Sequence, residues 1–385
     1  MNTKCDIVIV GAGACGLMCG ALLNQSPYSV TIIEKNDKPG KKLLATGNGR
    51  CNFTNMDMNA QAYYGDRDKI ELLLRNNTSQ DMIDLFRSIG VMSREKDGYV
   101  YPYTNQAKTV VTALVNACSR CEIVCETKVG KVLPLEDGYE VRTTEGIITC
   151  QSVIVATGGC AARTLGGDGS GYKLLKKLNH TMEDTYPALT GLKSDLPVWK
   201  ATAGTRIQGT FTLISNGVPV GSETGEIQIV KDGVSGIPVF QLCREAARHI
   251  EQGECVEGAI DFVPNMSGEE VYHWIQTHGL FSLVQEKWVP VFAGMKHPEE
   301  KIKHYTFPIK STFGMERAQV TAGGISVDEV DFATMESKLH KGLYLGGEVL
   351  NVDGKCGGYN LHFSWSCART ITKAILHGGH DATIH

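Results

Sequence analysis

Apolar positions in the first forty residues change period twice. Ile7 to Val10 is an unbroken apolar run, the signature of a short strand buried on both faces. It stops at Gly11. Leu17, Met18, Ala21 and Leu22 then recur at the spacing of one helix face, and residues 29–33 form a second apolar strand that ends on Glu34. The pattern predicts strand, turn, helix and strand within about thirty residues. The turn carries Gly11, Gly13 and Gly16 in G-x-G-x-x-G spacing, with Ala14 opening the helix. That context turns a weak glycine pattern into a dinucleotide-binding one.

Further along, the periodicity predicts helices over 68–76, 80–89 and 107–118, and a strand over 122–129. Residues 131–150 alternate around a turn at Glu136-Asp137-Gly138, a β-meander. A buried strand, 152–156, ends in Thr157-Gly158-Gly159. The glycines at 166–171 open another helix, but no strand precedes them, so they are not a second nucleotide motif. From Tyr186 the composition shifts. Residues 202–215 and 226–230 alternate as antiparallel strands, and 238–252 and 267–278 read as helices. This gives an inserted domain over 188–320, strands first and helices second. The chain returns with a strand at 342–347 and a last helix that starts at Gly357-Gly358 and is capped by Gly378-Gly379. The class is α/β: a Rossmann-like domain in two parts, 1–187 and 321–385, around a β-rich and helical substrate domain.

Length and composition agree with that division. A chain of 385 residues exceeds one ordinary core, and 42% apolar with 21% charged residues is ordinary for a globular enzyme. A net charge of −4 makes no global case for nucleic acid, though it leaves a local basic patch open. No apolar run reaches the ~20 residues that span a bilayer, and the N-terminus enters a strand directly, so a cytoplasmic protein is expected. Thirteen cysteines without a secretion signal are expected to be reduced. Cys118, Cys121 and Cys125 form C-x-x-C-x-x-x-C, but no second cluster completes a metal site, and ordinary thiols are the simpler reading. Cys15 and Cys19 are expected to pack against the sheet.

The glycine turn has a definite chemistry. Gly11 permits the turn, Gly13 admits a pyrophosphate against bare backbone, and Gly16 lets helix and strand approach. The free N–H groups of the helix end then face the phosphates. Glu34 lies eighteen residues past Gly16, where a carboxylate accepts ribose hydroxyls and repels a 2′-phosphate, so FAD or NAD is expected. Lys35 follows it. The loop over 39–55 adds Lys41, Lys42, Thr46, Gly47, Gly49, Arg50, Cys51 and Asn52. Its lysines and arginine supply charge, and its glycines supply close approach to a second phosphate or a polar ring.

The segment G-K-K-x-x-x-T-G-x-G-R-C-N-x-T-N, residues 40–55, resembles the signature loop of the YhiN/BaiN-type bacterial FAD-dependent oxidoreductases, the aminoacetone-oxidase-like flavoproteins. The resemblance continues at 128–130, 155–159 and 321–360. It implies FAD, with Glu34 on the adenosine ribose, Val129 holding the adenine edge through its backbone, and Thr157 and Gly158 against the dinucleotide. It also implies Glu348, with Asp353 nearby, on the ribityl chain or pyrophosphate. Gly358, Tyr359 and Asn360 would then start a helix aimed at flavin N1 and the C2 carbonyl, where negative charge gathers on reduction. Tyr101-Pro102 resembles a family motif as well, although Tyr99, Tyr101 and Tyr103 equally read as packing in a hairpin. Two departures stand out. The family's T-G-D-G-Y order is replaced by Asp168-Gly169-Ser170-Gly171-Tyr172, and its Thr-His before G-x-S-G-P by Val230-Lys231-Asp232.

Three activities follow from the resemblance: reduction of conjugated C=C bonds in 3-oxo bile acids, dihydrouridine formation in ribosomal RNA, and amine oxidation. The first two share hydride transfer from flavin N5 to the carbon β to a carbonyl, with a proton delivered to the α carbon. Reduction of an enone in an apolar, steroid-like small molecule is the preferred expectation, motivated by Trp274, Phe281, Trp288 and Phe292 in the inserted domain. Those four also read as core residues. Ribosomal RNA stays as the alternative substrate. Cys51, Tyr359 and His362 are the candidate proton donors. No second dinucleotide motif occurs, so NAD(P)H as reductant would bind transiently at the flavin face.

Overall fold

The computed structural model describes residues 3–378 and divides them into two units. One takes the chain up to Thr185 and again from Val320; the other is Tyr186–Gln319.

The first unit is built on a parallel sheet. Its centre is β1 (Ile7–Val10), followed by α1 (Ala14–Leu23) and β2 (Val30–Ile33). Next come α2 (Ala107–Ala117), β3 (Glu122–Val124) and β4 (Ser152–Val155), and late in the chain β5 (Leu343–Leu345) and α3 (Tyr359–Leu376). In space the order is Val330–Asp331, Glu336–Ser337, β5, β4, β1, β2, β3. All the pairs among β1 to β5 are parallel, with Ile7 opposite both Ser152 and Val30. The chain leaves β1 on one side through β2 and β3 and comes back on the other with β4. That reversal opens a crevice beyond the carboxyl ends of β1 and β4, where ligands of open α/β sheets bind. Gly11 enters it, its N–H donating to Ile33 O at 2.8 Å.

α1 is buried nearly all round: Leu17, Met18 and Cys19 have no exposed surface. Burial of a side chain such as Leu17 or Met18 contributes about 1.5–3 kcal/mol. α3 ends at Leu376, and Gly378 adopts the left-handed conformation (φ +67°) of a helix C-terminus; Gly379 lies outside the described residues.

One stretch departs from the sequence reading. The loop expected over 39–55 contains a helix, Lys41–Ala45, and a 3-10 turn, Thr46–Gly49. Lys-Lys-Leu-Leu-Ala are strong helix formers, and Leu43 buries itself; five residues are too few for periodicity to register. The hairpin reading of Tyr99 and Tyr101 is met: Ser93–Lys96 pairs with Tyr99–Pro102, and Thr54–Asn55 adds a third strand. The predicted meander is present as Val129–Leu135, Gly138–Thr143 and Gly146–Cys150, with a bulge just after Val129.

The second unit holds a seven-stranded antiparallel sheet in the order Tyr305–Pro308, Val256–Asp261, Arg206–Ser215, Val218–Val230, Gly233–Gly236, Leu192–Lys193, Ser311–Thr312. Helix Ile237–Glu251 buries Leu242, Cys243 and Ala246. Strands first and helices second is therefore not the order here: Val256–Asp261 and Tyr305–Pro308 come after that helix and complete the sheet. A four-residue strand ending in proline reads as a turn in one dimension. The core reading of the aromatics holds for two of the four. Trp288 and Phe292 are fully buried against Phe262 and Tyr305. Trp274 stacks on His278 at 4.3 Å, and Phe281 is 75% exposed. Among the described residues, no helix is long and apolar enough to cross a membrane.

Candidate active site

The glycine turn and the tip of β2 meet as the sequence requires. α1 starts at an N-cap, Gly13, with no side-chain cap and no acid in its first turn, so the N–H groups of its first turn, Ala14 among them, face the crevice unsatisfied by the helix. A Cβ on Gly11 (φ +104°) would sit 2.6 Å from Ala156 O, whereas one on Gly13 meets nothing within 4 Å. The space in front of Gly13 is open where a phosphate would stand. Glu34 is buried, accepting from Ala12 N at 2.9 Å and from Asn36 N and Nδ2 at 2.8 and 2.6 Å. A carboxylate has about four lone-pair sites, so one remains for a ribose hydroxyl. Val129 is buried at the bulge of the meander. Thr157 and Gly158 (φ +71°) follow β4, and the space over Gly158 is open as well.

The cations of the neighbouring segments are divided among local partners. Lys35 pairs with Asp168. Burial would raise the Asp168 carboxyl, but Lys35 and Ser170 outweigh it and hold it at about 2. Lys41 pairs with Asp37 at 3.4 Å, and Arg50 is exposed. Lys42 reaches across the unit to Glu348, at 3.0 and 2.8 Å from its two oxygens. Glu348 Oε1 also accepts from Thr321 N at 2.9 Å, and Thr321 Oγ1 accepts from Cys160 N and Ala161 N, each at 2.9 Å. Lys42, Glu348 and Thr321 thus clamp three distant segments beside the turn after β4. Thr46 turns inward, its hydroxyl donating to Leu43 O at 2.6 Å. Asp353 is buried in a two-residue pairing with Tyr64.

The second junction joins residues 50–55 to the start of α3. Gly358 (φ +95°) is the N-cap, and a Cβ there would lie 2.6 Å from Thr54 O and 2.9 Å from Asn52 Oδ1. Asn55 Nδ2 donates to Gly357 O at 2.9 Å, and Trp365 Nε1 to Phe53 O at 3.0 Å. Asn360 does not cap the helix. Its side chain brackets Gly354 instead, accepting from Gly354 N and donating to Gly354 O, both at 2.8 Å. The first turn of α3 therefore has neither a side-chain cap nor an acid. Gly47 (φ +56°) and Gly49 (φ +81°) shape the turn that leads into Arg50, and Asn52 Oδ1 is buried without a hydrogen-bond partner.

The three proton-donor candidates part company. Cys51 is fully buried, and burial pushes its thiol up to about 12. His362 is also fully buried, with Nδ1 2.7 Å from Thr54 Oγ1 and Nε2 2.8 Å from Asn77 O. A carbonyl only accepts, so Nε2 carries the proton and Nδ1 accepts from Thr54. Both nitrogens are spent, which corrects the expectation for His362: it ties α3 to two loops and has no free atom for a substrate. Tyr359 is the least buried of the three, 8% exposed, its hydroxyl donating to Asp57 O at 3.1 Å.

Burial lowers the His362 pKa to about 4. The unfolded chain, at about 6.5, binds that proton more readily, so the contribution is complete above about pH 6.5 and is lost as pH falls through about 4. It amounts to roughly 3 kcal/mol. His362→Gln keeps a donor and an acceptor but does not titrate, so urea midpoints of this variant should fall less than those of the wild type between these pH values. Parallel slopes would assign the dependence elsewhere.

An uncapped helix end facing open space at Gly13, a second uncapped end at Gly358 packed against Thr54 and Asn52, and the orphaned Asn52 Oδ1 fit a long, doubly anionic dinucleotide with a polar ring. The match to the HI0933-like protein Rossmann domain extends over residues 5–374. The chain belongs to the HI0933-like family. It is an FAD-dependent oxidoreductase. The 3-dehydro-bile acid delta(4,6)-reductase of Clostridium scindens is 33% identical over 96% of this chain and 98% of its own length. The ribosomal RNA dihydrouridine synthase of Haemophilus influenzae is 28% identical over 97% and 99%. Among solved structures, the 3-ketosteroid-delta4-(5alpha)-dehydrogenase of Rhodococcus jostii RHA1 superposes with a TM-score of 0.55, at 14% identity, over 97% of each chain; at that identity the likeness shows the fold alone.

Sequence reasoning passed over Thr321, Asp168 and Thr54. Each acts through a partner more than a hundred residues away, and no spacing signals such a pairing.

Proposed function

We propose that this protein reduces a carbon–carbon double bond conjugated to a carbonyl in an apolar, steroid-like molecule, with NAD(P)H as the transient electron donor. The full-length likeness to a bile acid Δ4,6-reductase carries the reading. In this proposal α1 takes the pyrophosphate on its free N–H groups, Glu34 takes the adenosine ribose, and Lys42–Glu348–Thr321 fixes the wall beside them. FAD held there would supply the hydride-transfer chemistry for the double bond. The uncapped start of α3 places positive potential where negative charge develops, an effect worth about 0.3–1 kcal/mol at an exposed helix end and more in a dry site. The Tyr359 hydroxyl, the least buried of the three candidates, leaves Asp57 O and delivers its proton to the α carbon. Burial raises its pKa, so the phenol keeps its proton until the carbon takes it.

The test is anaerobic mixing of photoreduced protein with a 3-oxo-4,6-diene steroid. Rapid return of the oxidised flavin spectrum with a reduced steroid product is expected. No reoxidation by the steroid, alongside amine-dependent turnover with oxygen, would replace this reading with an amine oxidase. The relative named for ribosomal RNA uses the same kind of double bond, in uracil. Loss of dihydrouridine from ribosomal RNA on deletion of the gene, with no turnover of the steroid, would move the substrate there.

A further inference from the structure

The cysteine run at 118–125 has no part in the reaction, and the structure splits it. Cys125 stands with the acids Glu34, Asp37 and Glu126; burial and their charges push its thiol up. Cys118 and Cys121 meet each other instead. Cys118 caps α2, and Cys121 N donates to Cys118 O at 2.9 Å. That bond closes a four-residue turn, which holds the first and fourth Cα atoms within about 7 Å. A disulfide spans about 4.4–6.8 Å between Cα atoms, so bridging asks little of the backbone. The side chains also converge. A Cβ on Gly20 of α1 would lie 3.0 Å from Cys118 Sγ and 3.7 Å from Cys121 Sγ, so both sulfurs face the same point of α1. Each is also placed to donate to α1: Cys118 Sγ is 3.4 Å from Leu17 O and Cys121 Sγ 3.4 Å from Gly20 O.

The two sulfurs are unequal. Cys118 is 2% exposed, whereas Cys121 reaches solvent. Turned from Leu17 O to its neighbour, the Cys118 S–H favours a thiolate on Cys121, with help from Arg120, and draws that thiol below its ordinary range. The accessible cysteine is thus the one that ionises, and its buried neighbour is placed to resolve it.

We infer that Cys118 and Cys121 are a peroxide-responsive dithiol pair whose oxidation loosens the grip of α1 on the FAD pyrophosphate. The Cys121 thiolate attacks one oxygen of hydrogen peroxide; the O–O bond breaks, and the departing hydroxide takes a proton to become water, leaving a sulfenic acid. Cys118 sulfur then attacks Cys121 sulfur, an S–S bond replaces the S–O bond, and the Cys118 proton leaves with the second water. Two thiols lose two electrons and one peroxide becomes two waters. The sulfurs close to about 2.05 Å and both S–H donors disappear. Leu17 and Gly20, one turn or less behind Gly16, lose contacts that seat α1 on the α2 turn. The inference rests on FAD binding and is independent of the substrate.

The experiment treats the flavin-loaded protein with hydrogen peroxide, alkylates the remaining thiols and digests with trypsin. Cleavage after Arg120 separates the two cysteines, so a bridge appears as two linked peptides. These peptides are expected, together with FAD release about fivefold faster, both reversed by dithiothreitol. Cys121→Ser keeps a donor for Gly20 O and should show neither effect, as should Cys118→Ala. Full alkylation of Cys118 and Cys121 under conditions that oxidise the exposed Cys255 would overturn the inference, and so would a bridge that leaves FAD release unchanged.

Discussion

Gly13→Ala is expected to yield a protein of wild-type stability that has lost its yellow colour, while Gly16→Ala loses much of its stability along with the flavin. The two glycines are three residues apart in one motif, but they face different things. A Cβ on Gly13 meets no atom of the protein within 4 Å, so the added methyl projects into the space assigned to the pyrophosphate. The apoprotein should melt as the wild type does, with FAD bound about a hundredfold more weakly, a change of roughly 2.7 kcal/mol. A Cβ on Gly16 would lie 1.9 Å from Gly11 O and 3.2 Å from the Ile9 side chain. Backbone cannot rotate away as a side chain does, so α1 must lift off β1. Overpacking of this kind costs about 3 kcal/mol or more, a large part of a stability of about 5–15 kcal/mol. Visible absorbance and thermal melts on both variants are sufficient. A Gly13→Ala protein that retained its flavin would refute the placement of the pyrophosphate.

Tyr359→Phe should lower kcat for enone reduction by about a hundredfold or more, the usual contribution of a positioned general acid. Flavin content and the rate of flavin reduction should stay as they are. The lost bond to Asp57 O costs only about 1 kcal/mol of stability, so the protein still folds. Cys51→Ala and His362→Gln serve as controls: neither side chain is placed to deliver a proton outward, and their effects should appear in stability before turnover. A full-rate Tyr359→Phe protein would send the search for the donor back to the substrate itself or to water.

The strand, turn, helix and strand at the start of the chain were legible because every interaction that makes them is local. Four apolar residues, three glycines and one carboxylate at their spacings suffice, and Glu34 does meet the turn, at Ala12 N. The helices at 68–76, 80–89 and 107–118 were legible for the same reason: a helix writes its buried face into a period that a short window reads. The helix at Lys41–Ala45 was missed because it is barely longer than one period.

Residue chemistry alone could nominate Cys51, Tyr359 and His362, since all three types move protons. It could not separate them, because burial and the partners of each atom are contributed by segments far away in the chain: Thr54 and Asn77 for His362, Asp57 for Tyr359. The same holds for Glu348, which the family resemblance marks as a cofactor contact and whose bonds to Lys42 and Thr321 only the fold shows. The linear order of residues thus determined the nucleotide-binding unit, whose contacts span a few tens of positions. Only the tertiary structure decided which polar atoms remain free to act, because a hydrogen bond between residues three hundred positions apart leaves no period in the chain.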